Sequence, residues 1–269
     1  MATAVLPRPA IVSGTTARTL RLYTREIRFE LLRASRNRAF ALSILGFPVM
    51  FYLLFGVMNK TETLRGGLSV AKYMLAGYAA FGMVGAALFG IGVGLALERT
   101  SGWLELKRAS PMPPLAYLTA RCAMAVAFSL VIVSLLSAIG ITFGGVHLSA
   151  AEFGRMLLVA AGGSIPFAGL GLLLAMLLPA NAAPGIANMI YLPMSYCSGL
   201  WVPVFLLPHW IQHLAQWLPS YHLAQLMLAA VGYGQPGDPV LRHVLALAAF
   251  TVVFLGAAAV CFRRADTDA

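Results

Sequence analysis

The sequence predicts an all-α membrane protein: six transmembrane helices, preceded by an N-terminal amphipathic helix at the membrane interface and carrying a short helical hairpin on the outer side before the last span. Three observations predict it. Of the 269 residues, 60% are hydrophobic and only 10% charged, with a mean hydropathy of +0.82. Soluble domains carry about a quarter charged residues, so most of this surface must face something other than water. Six apolar stretches meet or approach the roughly 20 residues that cross a hydrocarbon core as a helix. The basic residues behind the net charge of +10 sit before and between those stretches, where they meet anionic lipid headgroups. That distribution excludes a nucleic-acid partner, which a contiguous basic face would have suggested.

Residues 1–38 form a cytoplasmic arm. Leu20, Tyr23, Ile27, Leu31 and Ala34 fall on one helical face, with Arg18, Arg21, Arg25 and Arg36 opposite and Arg28 on the flank. Leu22 and Phe29 interrupt the polar side. Such a helix lies in the headgroup layer with its apolar side down; a cytosolic helix packed on a protein partner is the competing reading. The arm is too long for the charged region of a cleavable signal, and no small-residue cleavage site follows the first apolar run, so the first span is expected to remain in the mature protein.

Residues 39–269 form the transmembrane domain. Its spans run from about Ala39 to Met58, Tyr73 to Leu97, Leu118 to Phe143, Met156 to Leu178, Gly185 to Leu206 and His243 to Phe262. Pro179 and Pro184 with Asn181 between them make a tight turn that folds spans four and five into an antiparallel hairpin. Pro48, Pro166 and Pro193 are expected to kink their spans. Small residues at Ala86, Gly90 and Gly94, and at Gly162, Gly163, Gly169 and Gly171, allow close helix approach in a packed bundle.

Lys and Arg in the flanks set the orientation. The arm holds eight arginines, the stretch after span two holds Arg99, Lys107, Arg108 and Arg121, and the tail holds Arg263 and Arg264. The opposite side has Lys60, Arg65, Lys72, Arg155 and Arg242. Fourteen against five places both termini in the cytoplasm of a multi-pass protein in a bacterial inner membrane.

Chemistry-bearing groups are sparse. No acidic residue falls within any expected span, which disfavours a proton-driven carrier. Cys122, Cys197 and Cys261 lie far apart and read as small apolar side chains. His209 and His213, four apart with His222 nearby, could share a helix face as zinc ligands do. Without a neighbouring carboxylate they fit an interfacial helix rich in His, Gln and Trp better. There is no phosphate-binding loop: of three lysines only Lys60 precedes a threonine, and Asn59 stands before it. The chain itself therefore binds no ATP, and a membrane enzyme with clustered acids is disfavoured.

Two connecting segments remain. The cytoplasmic one, 98–116, mixes both charge signs with Trp103, Leu104 and Leu106, a composition suited to a short helix docking a protein partner at the membrane surface; a solvated loop with one lipid-anchoring Trp is the competing reading. The outer one, 207–241, carries Trp210, Trp217 and Tyr221 as interface anchors. Its apolar run Leu223 to Val231 is too short to cross, so it dips in or lies flat.

Together these segments resemble the permeases of type-2 ABC exporters, the family that includes daunorubicin-resistance-type transmembrane subunits. The cytoplasmic stretch resembles the family pattern E-R-x-x-G-x-L-E-x-x-x-x-[ST]-P at Glu98, Arg99, Gly102, Leu104, Glu105, Ser110 and Pro111, followed by Tyr117 and Arg121. The outer stretch resembles its S-G-x-x-x-P…L-P-x-W…L-P…Y pattern at Ser198, Gly199, Pro203, Leu207, Pro208, Trp210, Leu218, Pro219 and Tyr221. The resemblance implies a permease, most simply a homodimer, bound to two cytoplasmic ABC ATPase subunits that hold the ATP and magnesium. It implies ATPase coupling through Glu98, Arg99, Gly102, Leu104, Glu105 and Arg108, and an extracellular gate that includes Pro203, Pro208, Trp210, Trp217, Pro219 and Tyr221. The expected cargo is a hydrophobic or amphiphilic small molecule, such as a drug, antibiotic or lipid-like compound. Export of a lipid-linked glycan or polymer, and a non-transporting subunit of a sensor or immunity complex, are the alternatives.

Overall fold

A computed structural model describes residues 16–36, 38–64, 67–101, 114–235 and 237–267. Gly102, Leu104, Glu105 and Arg108 lie outside them. Helix α1 (Thr16–Arg36) leads into α2 (Arg38–Phe51), which continues as a π-helical turn, Tyr52–Val57. A two-stranded antiparallel ribbon, β1 (Thr63–Leu64) with β2 (Leu68–Ser69), follows; its pairs are Thr63 with Ser69 and Leu64 with Leu68. Helix α3 (Val70–Ala87), a second π turn (Leu88–Val93) and α4 (Gly94–Thr100) are continuous. Then come α5 (Pro114–Thr142), α6 (Ala150–Gly163), α7 (Ile165–Leu177), α8 (Ala183–Cys197), the 3-10 turn Val204–Leu206, α9 (His209–Ala215), α10 (Pro219–Ala230) and α11 (Val240–Thr267).

Among the described residues, four helical stretches are long and apolar enough to cross a membrane: Val70–Thr100, Thr119–Thr142, Ala150–Leu177 and Val240–Cys261. The bent pair Arg21–Arg36 and Ala41–Val57, which meet at 66°, supplies a fifth if counted as one span. The expected sixth, Gly185–Leu206, is not one long helix. Its α8 has 15 residues, a rise of about 22 Å against a hydrocarbon core of roughly 30 Å. It stops because Gly199 takes φ +80°, a left-handed conformation, and because Pro203 follows in extended backbone. The helices also outrun the expected spans, so Glu98 and Glu152, expected outside them, fall in the end turns of membrane-length helices.

The centre of the bundle is α3, buried along almost its whole length. It packs against α2, α5 and α10, while α7 packs against α11 and the second π turn. Small residues permit this. A Cβ on Gly171 of α7 would stand 2.7 Å from the Ala87 carbonyl, and one on Gly92 would stand 3.2 Å from the Gly171 carbonyl, so two backbones touch where side chains would hold them apart. Aromatic rings fill the wider gap beside α3. Phe81 stacks on Tyr191 of α8 at 4.6 Å, and Phe51 and Trp201 close around it. The Tyr191 hydroxyl donates to the Phe81 carbonyl at 2.9 Å, fixing α8 against α3.

The bundle has two ends. One, the arm end, carries α1, the end of α4, the start of α5 and the α7–α8 turn. The other, the hairpin end, carries the ribbon, the start of α6 and the α9–α10 pair. There Ser149 caps α6 in a reciprocal capping box with Glu152, and Glu152 also pairs with Lys72 of α3 at 2.6 Å. The Arg155 Nε donates to the Ala230 carbonyl at 3.0 Å, and the Ser69 amide to the Tyr233 hydroxyl at 3.0 Å. These bonds tie α3, α6 and the end of α10 together.

The close contact at Gly171 has a direct consequence. Gly171→Leu should destabilise the detergent-solubilised protein by about 1–3 kcal/mol or more through overpacking, read as a lower unfolding temperature and lost monodisperse yield. Gly162→Ala, at an exposed helical position with open space around its Cβ, should leave both unchanged.

Candidate functional site at the arm end

Helix α1 is amphipathic, but one of its acids faces inward. Glu30 follows Ile27 by three positions and precedes Ala34 by four, so it belongs to the apolar stripe. Its side chain is 1% exposed. An isolated buried carboxylate would be costly, so it must find partners. They come from three helices. Arg121 of α5 sits 3.6 Å from Glu30 and makes a close two-oxygen contact with Glu98 at the end of α4. Arg33, one turn beyond Glu30 on α1, reaches Glu98 at 2.5 Å and Glu30 at 3.8 Å. Glu98 and Arg121 are themselves buried, at 6% and 3% exposed. Two carboxylates and two guanidiniums thus meet in an ionic knot joining α1, α4 and α5.

Beside this knot lies a cavity of about 450 Å³. Phe89, Val93, Leu97 and Met124 give it an apolar wall, and Gly90 and Gly94 let the backbone of the second span form one side. The π turn Leu88–Val93 lies along it. Glu30, Arg33, Glu98, Arg121 and Ser101 line its polar side. Mixed linings of this size hold amphiphilic small molecules.

The sequence-predicted coupling residues divide. Glu98 is part of the knot and faces the interior. Arg99 points the other way: its guanidinium donates to the Ala175 carbonyl at 2.6 Å and the Met176 carbonyl at 2.8 Å, capping the last turn of α7. The remaining four lie outside the described residues. Glu30 and Arg33 were not anticipated as site residues. The signal that could have found Glu30 was an acid interrupting the apolar stripe of α1.

The predicted gate residues also divide. Pro203 is buried beside the 3-10 turn and Pro208 starts α9. Trp210 and Trp217 are exposed, at 67% and 81%. Pro219 begins α10, and the buried Tyr221 packs with Val204 and Ala215 in a small cluster of its own. Helix α10 does not lie flat on the surface; it is buried from Pro219 to Leu228. His209 and His213 are exposed on α9. His222 separates from them and faces His243 of α11 instead. Sequence reasoning missed that pairing because the partners lie 21 positions apart on different helices.

A helical membrane bundle with a charge-tied N-terminal helix and a short buried helix before the last span fits the membrane subunits of ABC transporters. The model of the ABC-2 type transporter family matches residues 22–231, and the chain belongs to that family. It is similar to a Bacillus subtilis (strain 168) protein named as a transport permease, YvfS, with 27% identity over 226 residues covering 84% of this chain and 91% of that protein.

The knot can be tested by stability. Arg121→Met leaves two carboxylates facing one partner and should cost about 3–5 kcal/mol, whereas pairing it with Glu98→Leu should recover much of that loss. Thermal unfolding of the two variants in the same detergent measures the difference.

Proposed function

We propose that this chain is the transmembrane permease of an ATP-driven exporter, moving a hydrophobic or amphiphilic small molecule out of a bacterial cell. It lies in the inner membrane with both termini cytoplasmic, as the distribution of Lys and Arg favours. The short α8 together with the segment to Leu206 completes a sixth crossing. ATP and magnesium belong to two partner ABC ATPase subunits, and a second copy of the chain completes the assembly.

The observation that carries this reading is the knot of Glu30, Arg33, Glu98 and Arg121. It stands at the base of the segment 98–116, so a push on that segment is delivered at once to α1, α4 and α5. Arg99 extends the same link to the end of α7. Glu98 then acts as an internal strut, and contact with the ATPase falls to Gly102, Leu104, Glu105 and Arg108. The amphiphilic lining of the adjacent cavity supports a cargo with both an apolar body and a polar head. Pro203, Pro208, Trp210, Trp217, Pro219 and Tyr221 belong to the outer gate, with the exposed tryptophans at the lipid interface and Tyr221 in the hinge of the hairpin.

Co-expression with a cognate ABC ATPase tests the coupling. Glu105→Arg should lower permease-stimulated ATP hydrolysis at least severalfold while leaving the folded yield of the permease unchanged. Undiminished stimulation together with normal co-purification would remove the segment from the coupling path.

A further inference from the structure

At the hairpin end, four groups form a chain of hydrogen bonds. The Gln216 carbonyl, at the end of α9, lies 3.1 Å from Nε2 of His222. Nδ1 of His222 lies 2.8 Å from Nδ1 of His243 on α11. Nε2 of His243 lies 3.0 Å from Oδ2 of Asp238, in the loop before α11. Both rings are buried, at 5% and 3% exposed.

The two ends of this chain determine its proton content. A peptide carbonyl only accepts, so Nε2 of His222 carries a hydrogen. An ionised carboxylate only accepts, so Nε2 of His243 carries one too. The two Nδ1 atoms, at 2.8 Å, share exclusively one more. Three N–H hydrogens on two imidazoles are one beyond the neutral pair. Moving a proton onto Asp238 does not alter the total. Burial and the neighbouring His243 hold the His222 imidazole below its ordinary value.

We propose that this run of hydrogen bonds is a proton-binding latch that fastens the end of α9 and the buried α10 to the last span, closed only while it holds a single extra proton. Losing that proton sets two lone pairs against each other. Gaining a second is blocked, because two hydrogens do not fit between the Nδ1 atoms. An imidazole in water has an ordinary value of about 6.5, and opening is what exposes the two rings to water. The open form therefore holds no extra proton well above that pH and two well below it, while the closed form holds one throughout. By linkage, raising the pH opens the latch through proton release and lowering it opens the latch through proton uptake. The closed form is most favoured near pH 6.5, and its population follows a bell.

Other ionisable groups around the rings are few. Arg242 of α11 lies 3.5 Å from Asp238 and 3.4 Å from the Gln216 side chain, and its charge opposes the extra proton. The Tyr221 ring packs on both imidazoles, with Tyr73 of α3 near it. Lys72, Glu152 and Arg155 engage the opposite end of α10 and its following turn. The latch is a property of this fold and stands independently of the transport reading.

Hydrogen exchange of the full-length protein in lipid nanodiscs, between pH 5 and 8.5 and corrected for intrinsic exchange, tests it. Peptides spanning residues 216–231 should be protected most near pH 6.5, with opening rising on both sides by up to tenfold per pH unit, the limit for one proton. Peptides from α3 should show no such maximum. His243→Gln should convert the bell to a one-sided profile. Asp238→Asn should raise opening about tenfold across the whole range and leave the most protected pH near 6.5, because the carboxylate no longer favours the extra proton in the closed form. A flat or one-sided profile in the unmutated protein overturns the latch, as does an Asp238→Asn profile that coincides with it. If neither variant folds, the unmutated profile decides alone.

Discussion

A charge taken out of water and into a helix bundle must find its opposite there, and much of the arm end follows from that requirement. Glu30 turns inward on a helix whose other charges face out, so α1 is held in one rotation and at one height against α5. Glu98 closes the second span against the third through Arg121. Arg33 then bridges Glu98 back to α1. No helix in the knot can slide by a turn without leaving a buried carboxylate or guanidinium uncompensated. Buried ion pairs of this kind add little to stability over apolar packing, but they penalise every alternative arrangement. For helices that are to move together, that penalty matters more than the stability. It keeps helices from three parts of the chain moving as a unit.

The middle of the bundle obeys a different rule. Lipid tails are as apolar as the side chains they replace, so tight contact between backbones does what the hydrophobic effect does in water. The glycines of α7 and of the second π turn bring the two chains to touching distance. Beside α3 the rings of Phe51, Phe81, Tyr191 and Trp201 fill the space, and Tyr191 fits because Gly85 has no side chain there. The π turns sit at opposite ends of the pattern, one in the first span and one beside the cavity. Each shifts the register of its helix locally, so that the faces before and after it meet different neighbours.

Most of the long helices were legible from hydropathy, because a span of apolar residues has few other places to go. The short α8 was less so: the apolar run from Gly185 to Leu206 is continuous in composition, and only Gly199 and Pro203 mark the place where the helix stops. The ionic knot was half legible. Glu98 and Arg121 belong to recognisable motifs, but their meeting with Glu30 depends on the rotation of α1, which its hydrophobic stripe defines only approximately. The His222–His243 pair was not legible at all. Its partners are brought together by the path of the chain from Gly232 to Asp238, and no periodicity encodes that. Composition instead drew attention to His209 and His213, which the fold leaves exposed on α9.

The two ends of the molecule therefore hold their charges in different ways. At the arm end, carboxylates meet guanidiniums, and each charge finds an opposite one within the knot. At the hairpin end, Asp238, Arg242 and two imidazoles balance only for one particular count of protons. A lever that must transmit force gains from the first arrangement, since its stiffness does not vary with its surroundings. A closure that faces a compartment of changing acidity has use for the second. The contrast also explains why the latch sits where it does. His222 lies near the start of α10, next to the turn about which the hairpin would swing, and His243 lies in the first turn of the adjacent α11. A bond at that point restrains the end of α9 and, through it, Trp210, whereas the same bond deeper in the bundle would be redundant with the packing around Leu223 and Met227.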